Sequence, residues 1–269
     1  YNNGSGRALM TYTPFDLSGK VALITGGNRG IGFGMVEALA QAGADVAIWG
    51  TNEERNAQAA AQLKDTGVKV FTRKVDVSNE QEVVDGVGET LKELGRIDSV
   101  FANAGVGFGS PSFIDMDTET YRKTLSVNLD GVFWTLRETA RHMVERSRNG
   151  DAGGSLVGVS SLAAIEGAAR NQAYAATKGA VISMIKGCAV EYGRYKIRSN
   201  AILPGWIATD MTAGAQSVPA FAEKVIPRVP IRRWGEPADF GGMAVYLASD
   251  ASAYQSGTTM IVDGGYSIF

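Results

Sequence analysis

The sequence predicts an α/β fold in which helices flank a seven-stranded, doubly wound parallel sheet. From Lys20 onward, short apolar runs alternate with longer segments of helical period. That alternation marks repeated β-α units and hence a parallel sheet. A glycine-rich turn, Thr25-Gly-Gly-Asn-Arg-Gly-Ile-Gly32, joins the first run to the first helical segment. No linker divides the chain, and its 269 residues suit one large core of this class.

In chain order the predicted strands are Val21–Thr25, Asp45–Trp49, Val68–Phe71, Ser99–Ala102, Ser155–Val159, Ile197–Leu203 and Thr258–Val262. The predicted helices are Ile31–Ala42, Glu53–Lys64, Glu80–Leu94, Thr118–Arg146, Ala173–Tyr192 and Pro237–Ala248. Thr51-Asn52 ahead of Glu53-Glu54, and Ser78-Asn79 ahead of Glu80, supply side-chain caps with acids in the first turn. Trp206–Trp234 breaks the alternation: it follows a Pro-Gly pair, carries three further prolines and is long for a connection. It reads as a lid over the C-terminal end of a strand. Residues 1–13 read as a flexible tail whose first nine, rich in Gly and Asn, look appended ahead of Met10. Residues 14–269 form the single expected domain.

Composition narrows the function. A 45% hydrophobic, 20% charged chain with net charge −2 gives no basic surface for nucleic acid or an anionic membrane. The single cysteine, Cys188, forbids an internal disulfide, and with His142 the only histidine no zinc site is expected. There is no apolar run of about 18 residues and no signal-peptide pattern, so a cytoplasmic location is expected.

The glycine turn lies where a parallel fold holds phosphate, between a strand and the free N–H groups of a helix. Its spacing, Gly26, Gly30 and Gly32, differs from the G-x-G-x-x-G order, and its place at the head of a β-α series is what gives it weight. The fold is therefore read as Rossmann-like. At the end of the second strand stands Trp49-Gly50-Thr51-Asn52, without a carboxylate. An acid there would bind a ribose 2′-hydroxyl and repel a 2′-phosphate. With Arg29 nearby, NADP is favoured, and Glu53 and Glu54 keep NAD possible.

Farther along, Tyr174 and Lys178 are four residues apart, with Ser161 thirteen positions before the tyrosine. On a helix, i and i+4 share a face, so an ammonium can act on a phenol. A lone Tyr-x-x-x-Lys is usually accidental; here it stands among other motifs.

Together these motifs resemble the short-chain dehydrogenases/reductases from about Leu17 to Phe269. They are Thr25-Gly-x-x-x-Gly-Ile-Gly32, Ala102-Asn-Ala-Gly105, Asn128 in Val-Asn-Leu, Ser161, Tyr174-x-x-x-Lys178, Pro204-Gly205 with Thr209, and Val262-Asp-Gly-Gly265. The resemblance implies a catalytic set of Asn128, Ser161, Tyr174 and Lys178. It implies cofactor contacts from Gly26, Asn28, Arg29, Gly30, Ile31, Gly32, Thr51, Asn52, Asp76, Val77, Asn103, Ala104, Gly105, Tyr174, Lys178, Pro204, Gly205, Ile207 and Thr209. Asp76 would meet the adenine, Pro204 to Thr209 the nicotinamide amide, and Asn128 a water leading to the lysine. Leu162, Asn171 and Trp206 are candidates to touch substrate. A homotetramer is also implied, pairing through the long helices and the C-terminal strand region.

The chemistry is consistent with the residues. Hydride reduction of a ketone leaves an alkoxide, which needs a proton donor and an oxyanion partner; Tyr174 and Ser161 fill those places. A tyrosine ionises near pH 10, so Lys178 is expected to favour the phenolate. Ser160 reads as a strand-end hydroxyl, His142 as an exposed or interface residue, Cys188 as packing, and Gly107-Phe-Gly109 as a flexible loop. Glu166 and Arg170 border the same region.

The reading is an NAD(P)-dependent oxidoreductase interconverting a secondary alcohol and a ketone, its partner a small carbonyl or alcohol. Phe15–Ala22 and Phe33-Gly-Met35 look similar to gluconate dehydrogenases, while 3-oxoacyl thioester reductases share the motifs. From another class, a non-catalytic NADP(H)-binding redox sensor would keep the nucleotide turn, yet has no need of the proton-handling set.

Overall fold

The structure, a computed structural model, describes residues 13–269; the expected tail lies outside the described residues but for Thr13. One parallel sheet organises the chain. Its strands are β1 (Val21–Thr25), β2 (Asp45–Gly50), β3 (Val70–Lys74), β4 (Ser99–Ala102), β5 (Gly154–Val159), β6 (Ile197–Pro204) and β7 (Thr259–Val262), in the spatial order β3-β2-β1-β4-β5-β6-β7. The order reverses between β1 and β4, which is where a doubly wound sheet opens a crevice for ligands.

The helices are α1 (Gly30–Gln41), α2 (Glu53–Gln62), α3 (Glu80–Leu94), α4 (Thr118–Leu125), α5 (Gly131–Arg148), α6 (Gln172–Tyr192), α7 (Ala213–Gln216), α8 (Pro219–Val225) and α9 (Gly241–Ala248). Strand side chains alternate between two cores. Ala22 and Ile24 of β1, with Val46 and Ile48 of β2, pack beside Met35, Val36 and Leu39 of α1 and Leu247 of α9. Leu23, Ala47 and Trp49 face the other way, toward Val83 of α3, Leu136 of α5 and Val181 of α6. This period of two is what pleated strands buried on both faces require. Trp49 is fully buried and satisfies its indole N–H on Thr90 Oγ1 at 3.2 Å.

Three expectations change. The third strand begins at Val70 and runs to Lys74, because it registers along β2 from Val46 against Val70 to Gly50 against Lys74. The sheet's edge tolerates Thr72, Arg73 and Lys74, and the apolar run stopped too early to reveal them. The long helix from Thr118 is broken by a π turn, Ser126–Asp130, which carries Asn128. The segment beginning at Pro237 opens as a 3-10 turn, Pro237–Phe240, before α9.

Residues 206–234 leave the sheet after β6 as two short helices and a 3-10 turn at Ile226–Arg228, and rejoin the body through a bridge between Ile207 and Gly235. Trp206 sits at the centre of an aromatic cluster, with ring centroids 5.1 Å from Phe221, 6.0 Å from Trp234 and 6.4 Å from Tyr266. The C-terminal segment closes on it: a Cβ on Gly264 would lie 2.7 Å from Val229 Cγ1, and one on Gly265 2.9 Å from Pro230 Cγ. Only hydrogen at those positions permits so close an approach.

At the opposite end of the strands, buried Asp98 accepts from the Val21 N–H at 2.9 Å, from Arg96 at 2.8 and 2.7 Å and from Arg146 at 2.6 Å. Burial opposes ionisation there, and these donors outweigh it to hold the carboxyl below the usual range. His142 is half-buried beside this network, its Nε2 accepting the Ile97 N–H at 3.3 Å. Burial first, then Arg146, pushes the imidazole below its ordinary value of 6.5. Its neutral form is the folded form, so the stability it contributes is present above that value and is lost as pH falls through the depressed one. Thermal unfolding from about pH 7 to about pH 5 is expected to fall more steeply for the native chain than for His142→Gln.

Candidate active site

The crevice is organised by Thr25 at the end of β1. Its hydroxyl accepts from the backbone N–H groups of Asn103 and Ala104, both at 3.0 Å, and the Asn103 amide donates to the carbonyls of Thr25 and Gly26 at 3.0 and 3.2 Å. The ends of β1 and β4 are thereby locked together. Gly26 and Gly30 take φ of 62° and 53°, left-handed values that a side chain disfavours, and they turn the chain into α1. Arg29 precedes that helix without a side-chain cap, so the first N–H groups of α1 remain for a ligand. These features fit a dinucleotide phosphate.

Several nucleotide-end residues also serve the protein's own fold. Asn28 donates to Asn56 Oδ1 at 2.7 Å, and Asn56 donates to the carbonyls of Gly50 and Arg73 at 3.1 and 3.0 Å. Asn52 caps α2 through Arg55 N–H at 2.8 Å, leaving its amide donor and the exposed Thr51 outward. Arg29 pairs with Asp210 across the mouth, both well exposed. Asp76 binds both the N–H and the hydroxyl of Ser78, with buried Val77 beside it. Thr209 lies against Gly30, its Cγ2 3.4 Å from where a Cβ would stand. Pro204 ends β6, Gly205 donates to Val262 O at 3.0 Å, and Ile207 is buried.

The catalytic candidates converge beyond β4. Asn128, fully buried, is held in a reciprocal pair: its Oδ1 accepts from Val106 N–H and its Nδ2 donates to Val106 O, each at 2.8 Å. The π turn adds a residue to the helix at that place, the kind of bulge that re-aims a side chain at functional positions. A Cβ on Gly105 would lie 3.3 Å from Asn128 Oδ1 and 3.4 Å from Lys178 Nζ, so both polar ends meet over one glycine. Lys178 is buried on α6; its Nζ donates to Val159 O at 2.8 Å and lies 5.5 Å from the Tyr174 ring centroid. Ser160 bonds Lys178 O at 2.8 Å, which is its strand-end role. Ser161 Oγ accepts from Ala163 N–H at 3.2 Å and acts on the phenol.

Burial governs the ionisation here. It pushes the Tyr174 phenol up, with Ser161 opposing, and brings the Lys178 ammonium down to about 8. The expectation that the lysine draws the phenol down is not met in the protein by itself, where burial raises the phenol and Ser161 is what opposes it.

Of the substrate candidates, Leu162 is buried with Val225, Val229 and Tyr266, and Trp206 packs against the same cluster. Both form an apolar floor. Asn171 stands at the start of α6 without capping it, and the side-chain amide oxygens of Asn171 (Oδ1) and Gln172 (Oε1) are buried without a hydrogen-bond partner. The brace from Val106, the acceptor at Val159 and the bridging Asn56 escaped the sequence reading, since each acts through a backbone atom or a fold-mediated contact. Only Thr25, first residue of the glycine motif, carried a signal.

A family model described as Enoyl-(Acyl carrier protein) reductase matches residues 26–267. Gluconate 5-dehydrogenase of Gluconobacter oxydans is 34% identical over 254 residues, covering 94% of this chain and 97% of that protein. A 3-oxoacyl-(acyl-carrier-protein) reductase of Chlamydia muridarum is 38% identical over 250 residues, covering 93% and 98%. Among solved structures, a gluconate 5-dehydrogenase from Burkholderia cenocepacia in complex with NADP and tartrate superposes with a TM-score of 0.89 at 34% identity, covering 95% and 98%. The chain belongs to the short-chain dehydrogenase/reductase family. As a member, it is an NAD(P)-dependent oxidoreductase interconverting alcohol and carbonyl groups.

One consequence of its buried lysine is measurable. The folded value near 8 lies below the ordinary 10.5, so between the two the unfolded chain binds more protons and stability rises with pH. Thermal unfolding across that window should rise for the native chain relative to Lys178→Met, and parallel curves would contradict it.

Proposed function

We propose that this reductase protonates the nascent alkoxide from Tyr174, with Ser161 holding the same oxygen, and that Lys178 and Asn128 carry the proton route behind the tyrosine. The single observation behind this is the meeting of Lys178 Nζ and Asn128 Oδ1 over Gly105, one helical turn from Tyr174. A bound nicotinamide nucleotide supplies or accepts the hydride there. Gly26, Arg29, Gly30, Ile31 and Gly32 hold its phosphates, Asp76 and Val77 border the adenine, and Pro204, Gly205, Ile207 and Thr209 border the nicotinamide. In that state the charge on Lys178 has the cofactor ribose beside it as well as Val159 O.

NADP is the preferred form. The end of β2 offers Thr51 and the amide of Asn52, with no carboxylate at the turn, and Arg29 stands in the glycine turn after β1. The substrate is a small carbonyl compound or its alcohol, admitted under residues 206–234 acting as the lid. An unpaired Cys188 suits a reducing, cytoplasmic setting.

Assembly is as a homotetramer. Phe133 on α5 and Val190 on α6 are exposed, as are Ile261 on the edge strand β7 and Ile268 and Phe269 after it, giving two separate apolar areas. Light scattering should return four times 28.4 kDa; a monomer refutes it.

The activity test is oxidation of NADPH and NADH with a panel of ketones by the native chain and by Tyr174→Phe. NADPH is expected to be used more efficiently, and the variant to lose about 10²–10⁴ in kcat while its NADPH affinity holds. Nucleotide binding without turnover of any carbonyl would favour the redox-sensor reading instead.

A further inference from the structure

We propose that the site is built for a ketone whose carbonyl is carried on a hydrocarbon body, a ring or an acyl chain, and not for a polyhydroxylated acid. This rests on the reductase reading above and names its substrate class. The loops that follow β4, β5 and β6 are neighbours because those strands are neighbours, and ligands of such sheets lie outside the carboxyl ends of the strands. Each of the three loops puts large apolar side chains into solvent. Phe113 and Ile114 stand on the first, Ile165 on the second, and Met211 and Val218 on the third, with exposures from 48% at Val218 to 91% at Ile114.

A single exposed apolar residue needs no explanation; five around one crevice mark a binding surface. The loops also touch. A Cβ on Gly107 would lie 3.7 Å from Met211 Sδ, and Ser110 N–H donates to Arg170 O at 3.0 Å. Beneath them lies the floor of Leu162, Trp206, Phe221 and Trp234. Rim and floor lie on the loops that also carry Ser161 and lead into α6 with Tyr174.

The cations tell the same story by their engagements. A carboxylate needs a fixed cation to offset its desolvation. Arg29 is paired with Asp210, Arg228 stacks on the Tyr266 ring and donates to its hydroxyl at 2.9 Å, and Lys123 lies over the Phe108 ring at 5.1 Å. Arg170 is exposed at the rim and is not buttressed toward the floor. Ring and chain share the apolar chemistry, so the experiment separates them.

With NADPH-loaded protein, kcat/KM is measured for a phenylbutanone, a medium-chain 3-oxoacyl thioester and 5-keto-D-gluconate, for the native chain and for Phe113→Ser/Ile165→Ser. At least one hydrocarbon ketone is expected to exceed the keto acid by about tenfold or more, and the double variant to cost it about tenfold, chiefly in KM, with Tm and NADPH affinity kept. Which of the two leads identifies ring or chain. A keto acid that equals or beats both, or a variant that leaves the preference unchanged, overturns the proposal. Calorimetry of phenylbutanamide and of gluconate on the NADP complex reads the rim without turnover. Amide binding that the double variant weakens upholds the rim even where no carbonyl is reduced, a result that would strike the reductase reading alone. Gluconate binding without amide binding overturns the rim.

Discussion

The hydrogen bonds between Thr25 and the Asn103-Ala104 backbone hold the rest of the site in place. They join the carboxyl ends of β1 and β4 at the reversal of strand order, so the glycine turn on one side and Gly105 on the other share a fixed origin. From Gly105 the chain reaches Val106, and Val106 pins Asn128 with two reciprocal bonds. From the same glycine Lys178 is within contact. Phosphate-binding turn and proton-handling residues are therefore parts of one hydrogen-bonded frame, in which the Thr25 and Asn128 side chains each hold backbone groups of the segment after β4.

Burial supplies the second constraint. An ammonium placed in the interior costs free energy that a single carbonyl bond does not offset, and Lys178 answers by becoming easier to deprotonate. Tyr174 responds in the opposite sense and keeps its proton. Desolvation thus moves the two groups apart in basicity, so in the protein by itself the proton stays on the Tyr174 oxygen while Lys178 gives its proton up more readily. An oxidoreductase that must deliver a proton to a nascent alkoxide has use for a phenol that is still protonated.

Much of this could be read from the chain. Continuous apolar runs such as Val21–Thr25 and Asp45–Trp49 reveal strands buried on both faces, and Tyr174, Lys178 and Ser161 stand at spacings that helix geometry and family likeness both favour. What escaped has physical causes. The π turn at Ser126–Asp130 leaves the helical pattern of its flanks intact, so periodicity reads straight through it. Lys74 lies on β3 through pairing with Gly50, a non-local contact. Asn28, in the glycine turn, also donates to Asn56, a partnership set by the fold and not by local sequence. The depression of Lys178 depends on depth, which sequence spacing does not carry.

The close packing of Gly264 and Gly265 against Val229 and Pro230 gives the end of the chain leverage over the substrate mouth. The segment from Gly264 packs directly on the stretch from Val225 to Trp234, through the close glycine contacts, the tryptophan cluster and the stacked Arg228-Tyr266 pair. For protein engineering this ties the C-terminal segment to the substrate mouth. A side chain introduced at Gly264 or Gly265 would therefore be felt at the specificity-bearing surface, although it lies far from that surface in sequence.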